Sequence, residues 1–195
     1  VYDRASLQRG FQVYKQVCSA CHSMNRVAYR NLSALGYTEA QIKAVASEYS
    51  ITDGPDDDGE MFERPGRPSD HFKAPYKNAN QAKASNNGAL PPDLSLIVKA
   101  RTGGANYVYG ILTGYEDAPA GVELANGQHW NKYMSGNKIA MPAPLAEGAV
   151  SYEDGTPTTV EQYAKDVAHF LTWAAEPEME IRKQTGIKVI FFLGL

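Results

Sequence analysis

Val17-Cys18-Ser19-Ala20-Cys21-His22 is the stretch on which the reading of this chain turns. Its C-x-x-C-H spacing is the pattern for covalent attachment of a c-type haem. Two thiols three positions apart reach the two vinyl groups on one side of a porphyrin. The next residue, His22, then lies close enough to place an imidazole nitrogen on the iron. The chain has two cysteines and the motif uses both. A thioredoxin-like redox pair needs a βαβ context and has no use for His22. Half of a zinc site would require a second Cys pair or an H-x₃₋₅-H pair, and neither is present. Buried thiols without chemistry leave His22 unexplained.

Immediately before the motif, Leu7, Phe11, Tyr14 and Val17 fall at helical spacing, which predicts a helix over residues 5–17. Gly10 beside Phe11 allows a second helix to approach closely. After the motif, residues 23–37 read as a loop. Thr38 with Gln41 forms a capping box for a short helix to Tyr49, with Ile42 and Val45 on its apolar face. Asp53, Asp56, Asp57, Asp58, Glu60 and Glu63 then crowd into eleven residues. This is an acidic loop, either simply solvated or a steering patch for a basic redox partner. Residues 64–87 are polar and Pro-rich and read as an extended surface loop.

Asp93 or Ser95 can cap a helix through Arg101 that carries Leu96, Ile97 and Val98 inward. A second helix, Ala105 to Thr113, is closed by Gly114. Arg101 sits between these helices beside glycines, where its fork suits a haem propionate or where it is simply a surface cation. Tyr107 can donate a phenolic hydrogen bond. Residues 115–137, with His129 and Trp130, read as loop. Met141 lies between Ile139-Ala140 and Pro142-Ala143-Pro144, a stiff extended segment. A thioether held there suits the sixth position of the iron, and Met/His ligation raises the reduction potential. Met24, Met61, Met134, Met179, His71, His129 and His169 are the alternatives, although Met24 is too near His22 to reach the opposite face easily. Met141 as core filler is the plainer reading.

Residues 158–175 make the strongest helix, with Thr158 and Glu161 as a capping box. Val160, Tyr163, Val167, Phe170, Leu171 and Ala174 form its apolar face, and Glu176-Pro177 is its end. Beyond it, Ile187, Val189, Ile190, Phe191, Phe192, Leu193 and Leu195 crowd into nine residues. A bilayer span needs roughly 20 apolar residues, so this run reads either as the start of a membrane anchor or as a short core segment at a natural C-terminus.

Hydrophobic residues at 43% and charged residues at 21% describe a globular domain rather than a disordered one. A net charge of −3 argues against nucleic acid as a partner. The opening Val1-Tyr2-Asp3-Arg4 lacks an apolar h-region. Haem is attached to C-x-x-C-H outside the bacterial cytoplasm or in the mitochondrial intermembrane space, so the chain reads as exported.

Several separated motifs together resemble the cytochrome c1 family, the haem subunits of the cytochrome bc1 complex (ubiquinol–cytochrome c reductase). They are Arg9 to Tyr14 leading into Cys18–His22, Asn86 to Ser95, Ala100-Arg101 through Tyr115, and Ile139-Ala140-Met141-Pro142. Tyr152 to Thr156 follows, then Phe170 to Pro177 ahead of Arg182-Lys183 and the apolar run. The resemblance implies a mainly α fold: a c-type helical core with long irregular loops, then the start of a C-terminal transmembrane anchor helix. Residues 1–178 would be the haem domain and 179–195 a linker and the beginning of the anchor. It implies one covalent haem c on Cys18 and Cys21, with His22 and Met141 as axial ligands. Arg101 and Tyr107 would bind the propionates, and Asn86, Ala89, Pro91, Pro92 and Ile97 would line the pocket.

By the same resemblance, the chain takes an electron from a Rieske iron–sulfur protein and passes it to a soluble or tethered cytochrome c, beside cytochrome b. The haem domain would lie on the periplasmic or intermembrane-space side of the inner membrane. No catalytic residue is required; the chain is an electron carrier that becomes part of an enzyme in the reductase. The alternatives are a free-standing soluble mono-haem cytochrome c, and a haem enzyme such as a peroxidase with an open sixth position.

Overall fold

The computed structural model describes residues 2–194, so Val1 and the terminal Leu195 of the apolar run lie outside the described residues. The chain is mainly helical with two small two-stranded sheets. It divides into two compact units. One comprises the N-terminal helix and everything from Leu96 onward; the other is Cys18–Ser95.

In the first unit, α1 (Arg4–Gln16) packs on α6 (Val160–Ala175). Asp3 caps α1 by accepting from the Ala5 N–H. The crossing is set at Gly10, where an added Cβ would lie 2.1 Å from the Asp166 carbonyl oxygen and 2.6 Å from the Phe170 Cβ. No other residue lets the two backbones approach so closely. Phe11 and Tyr14 then reach the Phe170 ring, at centroid distances of 5.7 and 5.8 Å. Beside this apolar seam the Asp166 carboxylate is wholly buried. It accepts from Ser6 Oγ at 2.7 Å, from Arg9 Nε at 2.9 Å and from Gln162 Nε2 at 2.9 Å. Those bonds replace the water that a buried charge loses.

Helix α6 starts one residue later than its sequence signature: Thr159, not Thr158, is the cap and accepts from the Gln162 N–H. Two further helices, α4 (Ile97–Ala100) and α5 (Gly104–Thr113), pack against α6 and each other. The expected helix from Asp93 or Ser95 to Arg101 is thus a single turn, with Leu96 exposed and Ile97 buried. Asp93 and Ser95 do not cap it because their side chains are used elsewhere, as described below. A two-stranded hairpin, β3 (His129–Trp130) with β4 (Lys138–Ile139), interrupts the expected loop.

After Glu176-Pro177 comes α7 (Met179–Leu193), whose residues from Ile181 on are exposed, Phe192 at 79%. Among the described residues no helix is long and apolar enough to cross a membrane. The base of α7 is tied to its unit. Glu176 pairs with Lys99 at 3.0 Å and Arg182 at 3.1 Å, and the Tyr2 hydroxyl donates to the Glu176 carbonyl at 2.9 Å.

The second unit contains a 3₁₀ turn at Cys18–Ala20, another at Tyr29–Leu35, helix α2 (Glu39–Ser47) and helix α3 (Ala79–Ser85). The Thr38–Gln41 capping box of α2 is present, with Gln41 Oε1 accepting from the Thr38 N–H at 2.8 Å. Residues 23–37 are more ordered than a loop: Met24, Val27, Tyr29, Leu32 and Leu35 form the core of this unit. The acidic segment is the tip of a hairpin, β1 (Ser50–Asp53) with β2 (Phe62–Pro65). Its stem is held by Arg64, which forms a two-pronged pair with Asp70 at 2.6 and 2.9 Å and also reaches Asp53. The polar stretch 64–87 likewise contains α3, capped by Asn78.

Two substitutions test the α1–α6 crossing by urea unfolding of the haem-loaded protein. Gly10→Ala should lower stability by about 3 kcal/mol, because backbone rather than a flexible side chain must yield. Asp166→Ala should cost about 3–5 kcal/mol, because it removes the buried half of the Arg9 pairing and leaves Ser6 Oγ and Gln162 Nε2 without their acceptor. Asp154→Ala, which removes Arg9's exposed partner, should cost much less.

Candidate haem-binding site

Helix α1 ends where the Val17 N–H reaches the Val13 carbonyl, directly before the cysteines. The Cys18 carbonyl then accepts from both the Cys21 N–H at 3.1 Å and the His22 N–H at 2.9 Å. One tight turn therefore carries both thiols and the imidazole. The two cysteines are not joined in a disulfide. Burial pushes the Cys18 thiol up to about 12, which is the opposite of the lowered value a thiol–disulfide redox centre needs.

His22 is oriented from 70 residues away: its Nδ1 lies 2.8 Å from the Pro92 carbonyl oxygen. A carbonyl can only accept, so Nδ1 carries the hydrogen and Nε2 keeps its lone pair. Burial pulls the imidazole below the ordinary histidine range, against the Pro92 carbonyl and Asp93, which raise it. At neutral pH the ring is in the uncharged form that ligates metals.

The Pro92 carbonyl is held in place by a clasp between residues 22–26 and 92–95. The Leu94 N–H donates to the Ser23 carbonyl at 2.9 Å. Asp93 accepts from Ser23 Oγ and the Asn25 N–H, both at 2.8 Å, and from the Ser95 N–H at 2.9 Å. The buried Ser95 hydroxyl accepts from the Arg26 N–H at 3.1 Å. Asn86, Ala89, Pro91 and Pro92 lie on the same loop leading into this clasp. Asn86 anchors its start, donating from Nδ2 to the Ala82 carbonyl at 2.7 Å and the Tyr76 hydroxyl at 3.0 Å. The Ala89 N–H returns to the Asn86 carbonyl at 2.9 Å.

The remaining candidates belong to the other unit. Ile97 is buried at the head of α4. Arg101 and Tyr107 flank the start of α5, where Gly103 turns the chain with a φ of 89°. Arg101 is exposed and its Nη1 reaches the adjacent Ala100 carbonyl at 3.1 Å. Tyr107 donates to the Met134 sulfur at 3.6 Å. Met141 is half-buried, two residues past β4, and its carbonyl accepts from the Tyr115 hydroxyl at 2.9 Å. The buried indole N–H of Trp130, on the paired strand β3, has no partner among the described residues; an acceptor on a bound group would satisfy it.

The other sulfur and imidazole candidates have different settings. Met24 is fully buried in the core of its unit, whereas Met61 is exposed on the acidic tip. Met179 begins α7, with its sulfur 3.9 Å from the Tyr2 hydroxyl. His71 forms an isolated bridge with Ala28, His129 is in β3, and His169 Nδ1 lies 3.0 Å from Ser6 Oγ. Two contributors were not legible in the sequence. They are the Pro92 carbonyl as the partner of His22, and Tyr115. The carbonyl carries no side-chain signal, and Tyr115 sits in a stretch without periodicity.

Paired thiols on one turn beside a neutral imidazole with its tautomer set are a donor set that fits a c-type haem. Comparison with known proteins points the same way. The chain matches the Cytochrome C1 family over residues 1–195. It is 58% identical to mitochondrial cytochrome c1-2 of Solanum tuberosum, covering all of this chain and 75% of that protein. It is 50% identical to cytochrome c1 of Rhodospirillum rubrum, covering all of this chain and 77% of that one. It is 51% identical to the cytochrome b-c1 complex catalytic subunit of Candida albicans, over 99% of this chain and 67% of that protein. Three other plant relatives are covered over only 61% to 63% of their length, so the chain spans about three fifths to three quarters of these proteins. With the thiol pair, the oriented imidazole and a family match along its full length, the chain belongs to the cytochrome c1 family, whose members carry one covalent haem c.

Proposed function

We propose that this chain is the haem-bearing electron-transfer subunit of a quinol–cytochrome c reductase. It would receive electrons from a Rieske iron–sulfur protein and deliver them to a c-type cytochrome. The observation that carries the reading is the Cys18–His22 turn with its imidazole oriented by the Pro92 carbonyl. Cys18 and Cys21 would hold the group covalently through thioether links. His22 would ligate the iron through Nε2, and the Nδ1–Pro92 bond holds the ring orientation and raises its basicity. Met141 would supply a second protein ligand to the iron. The alternatives in the core, on the acidic tip or in other hydrogen bonds are less well placed for that task. Arg101 and Tyr107 bind the propionates, while Asn86, Ala89, Pro91, Pro92 and Ile97 line the pocket. Bound there, the haem supplies the one-electron chemistry; the protein's task is to set its potential, exclude water and present an edge to partners.

Residues 1–178 form the haem domain, and 179–195 form a linker and the beginning of a membrane anchor. The exposed apolar residues of α7 support this division. The domain faces the periplasm or the intermembrane space, and its neighbours are cytochrome b and the iron–sulfur subunit. The name of the Candida albicans relative supports placement in such a complex.

Met141→Leu should lower the midpoint potential sharply and open the reduced haem to carbon monoxide; an unchanged potentiometric titration removes Met141 from the iron. Purified in mild detergent through a tag on this chain, the protein should show b-type haem bands beside its c-type spectrum and bring an iron–sulfur subunit with it. A c-type spectrum alone, from protein that needs no detergent, would instead identify a soluble carrier.

A further inference from the structure

Met141 lies beyond the end of the hairpin that leads to it. That hairpin is bolted to the C-terminus of α5 by buried polar contacts. Asn131, wholly buried, donates from Nδ2 to the Ile111 carbonyl at 2.7 Å. Its Oδ1 accepts from the Tyr133 N–H at 3.0 Å. The Lys132 N–H reaches the Gly114 carbonyl at 3.0 Å, and Tyr115 bridges to Asn131. The approach is so close that a Cβ on Gly114 would lie 2.7 Å from Asn131 Oδ1. Pairing between β3 and β4 then continues to Ile139, opposite His129, and stops.

Two residues further on, the peptide group that follows Met141 belongs to Pro142. It has no N–H, so its carbonyl oxygen is its one hydrogen-bonding atom. The Tyr115 hydroxyl takes that atom at 2.9 Å. Because Tyr115 follows Gly114 directly, the bond ties Met141 back to the same helix end that anchors the hairpin.

We propose that Tyr115 is a positioning residue for the iron's sixth ligand: its hydroxyl, on the Met141 carbonyl, holds the ligand-bearing segment where the β3–β4 pairing no longer reaches. This rests on the assignment of Met141 to the iron. The hydroxyl acts on the ligand only through the Met141–Pro142 peptide group.

The test is Tyr115→Phe in the intact, haem-loaded protein, with Met141→Leu and Tyr109→Phe beside it. Phenylalanine removes one oxygen atom and keeps the ring. Tyr115→Phe should raise the carbon monoxide affinity of the reduced haem about threefold to tenfold, the factor that loss of one neutral hydrogen bond gives. It should also weaken the methionine–iron charge-transfer band of the oxidised protein and lower the midpoint potential. Tyr109→Phe, an exposed change on α5, should alter none of these. Wild-type carbon monoxide affinity and midpoint in Tyr115→Phe, with the band abolished in Met141→Leu, would overturn the role of Tyr115 alone. A band that survives in Met141→Leu would overturn the ligand assignment beneath it.

Discussion

The distance of closest approach between α1 and α6 governs the first unit. With hydrogen at position 10 the two backbones touch, and the Phe11, Tyr14 and Phe170 rings close over the contact. The same approach places Ser6 and Arg9 on the Asp166 carboxylate, so a buried charge sits beside an apolar seam without losing its hydrogen bonds. Apolar burial drives the association, and the polar cluster makes one register cheaper than its neighbours. Helix α1 ends at Gln16, with Val17 as its C-cap directly before the cysteines in sequence.

The chemistry of the attachment turn depends on longer-range contacts. A C-x-x-C-H sequence alone places two sulfurs and an imidazole near one another. It does not decide which ring nitrogen holds the proton. That is decided by the Pro92 carbonyl, itself held by Asp93 and Ser95. Asp93 and Ser95 are thereby withdrawn from capping, and α4 is reduced to one turn. The helix and the clasp compete for the same side chains, and the clasp has the larger number of satisfied groups.

That competition marks the limit of what could be read in advance. The capping box at Thr38, the seam of α6 and the glycine at the helix crossing were legible, because each depends on residues within a few positions of one another or on one residue's missing side chain. The hairpin stem around the acidic tip was not, since Arg64 recruits Asp53 and Asp70 through tertiary geometry and not through periodicity. The order within residues 23–37 was missed for a similar reason: Tyr29, Leu32 and Leu35 are buried by a 3₁₀ turn whose spacing matches neither an α-helix nor a strand. Helix α3 is short and polar, with Ala82 as its one buried residue, so it has almost no hydrophobic signal. Tyr115 could be found only after the backbone had brought it to Met141.

The joint after α6 has a mechanical meaning. Proline at 177 stops the helix, and such a break would ordinarily behave as a hinge. Here the hinge is braced on several sides: Lys99 and Arg182 converge on the Glu176 carboxylate, and Tyr2 grips the Glu176 carbonyl while its own N–H meets Glu180. The braces are drawn from both ends of the chain and from α4, so bending at Glu176-Pro177 would strain contacts well outside the joint. The segment is thus braced as well as broken, and these contacts favour the direction in which α7 leaves its unit.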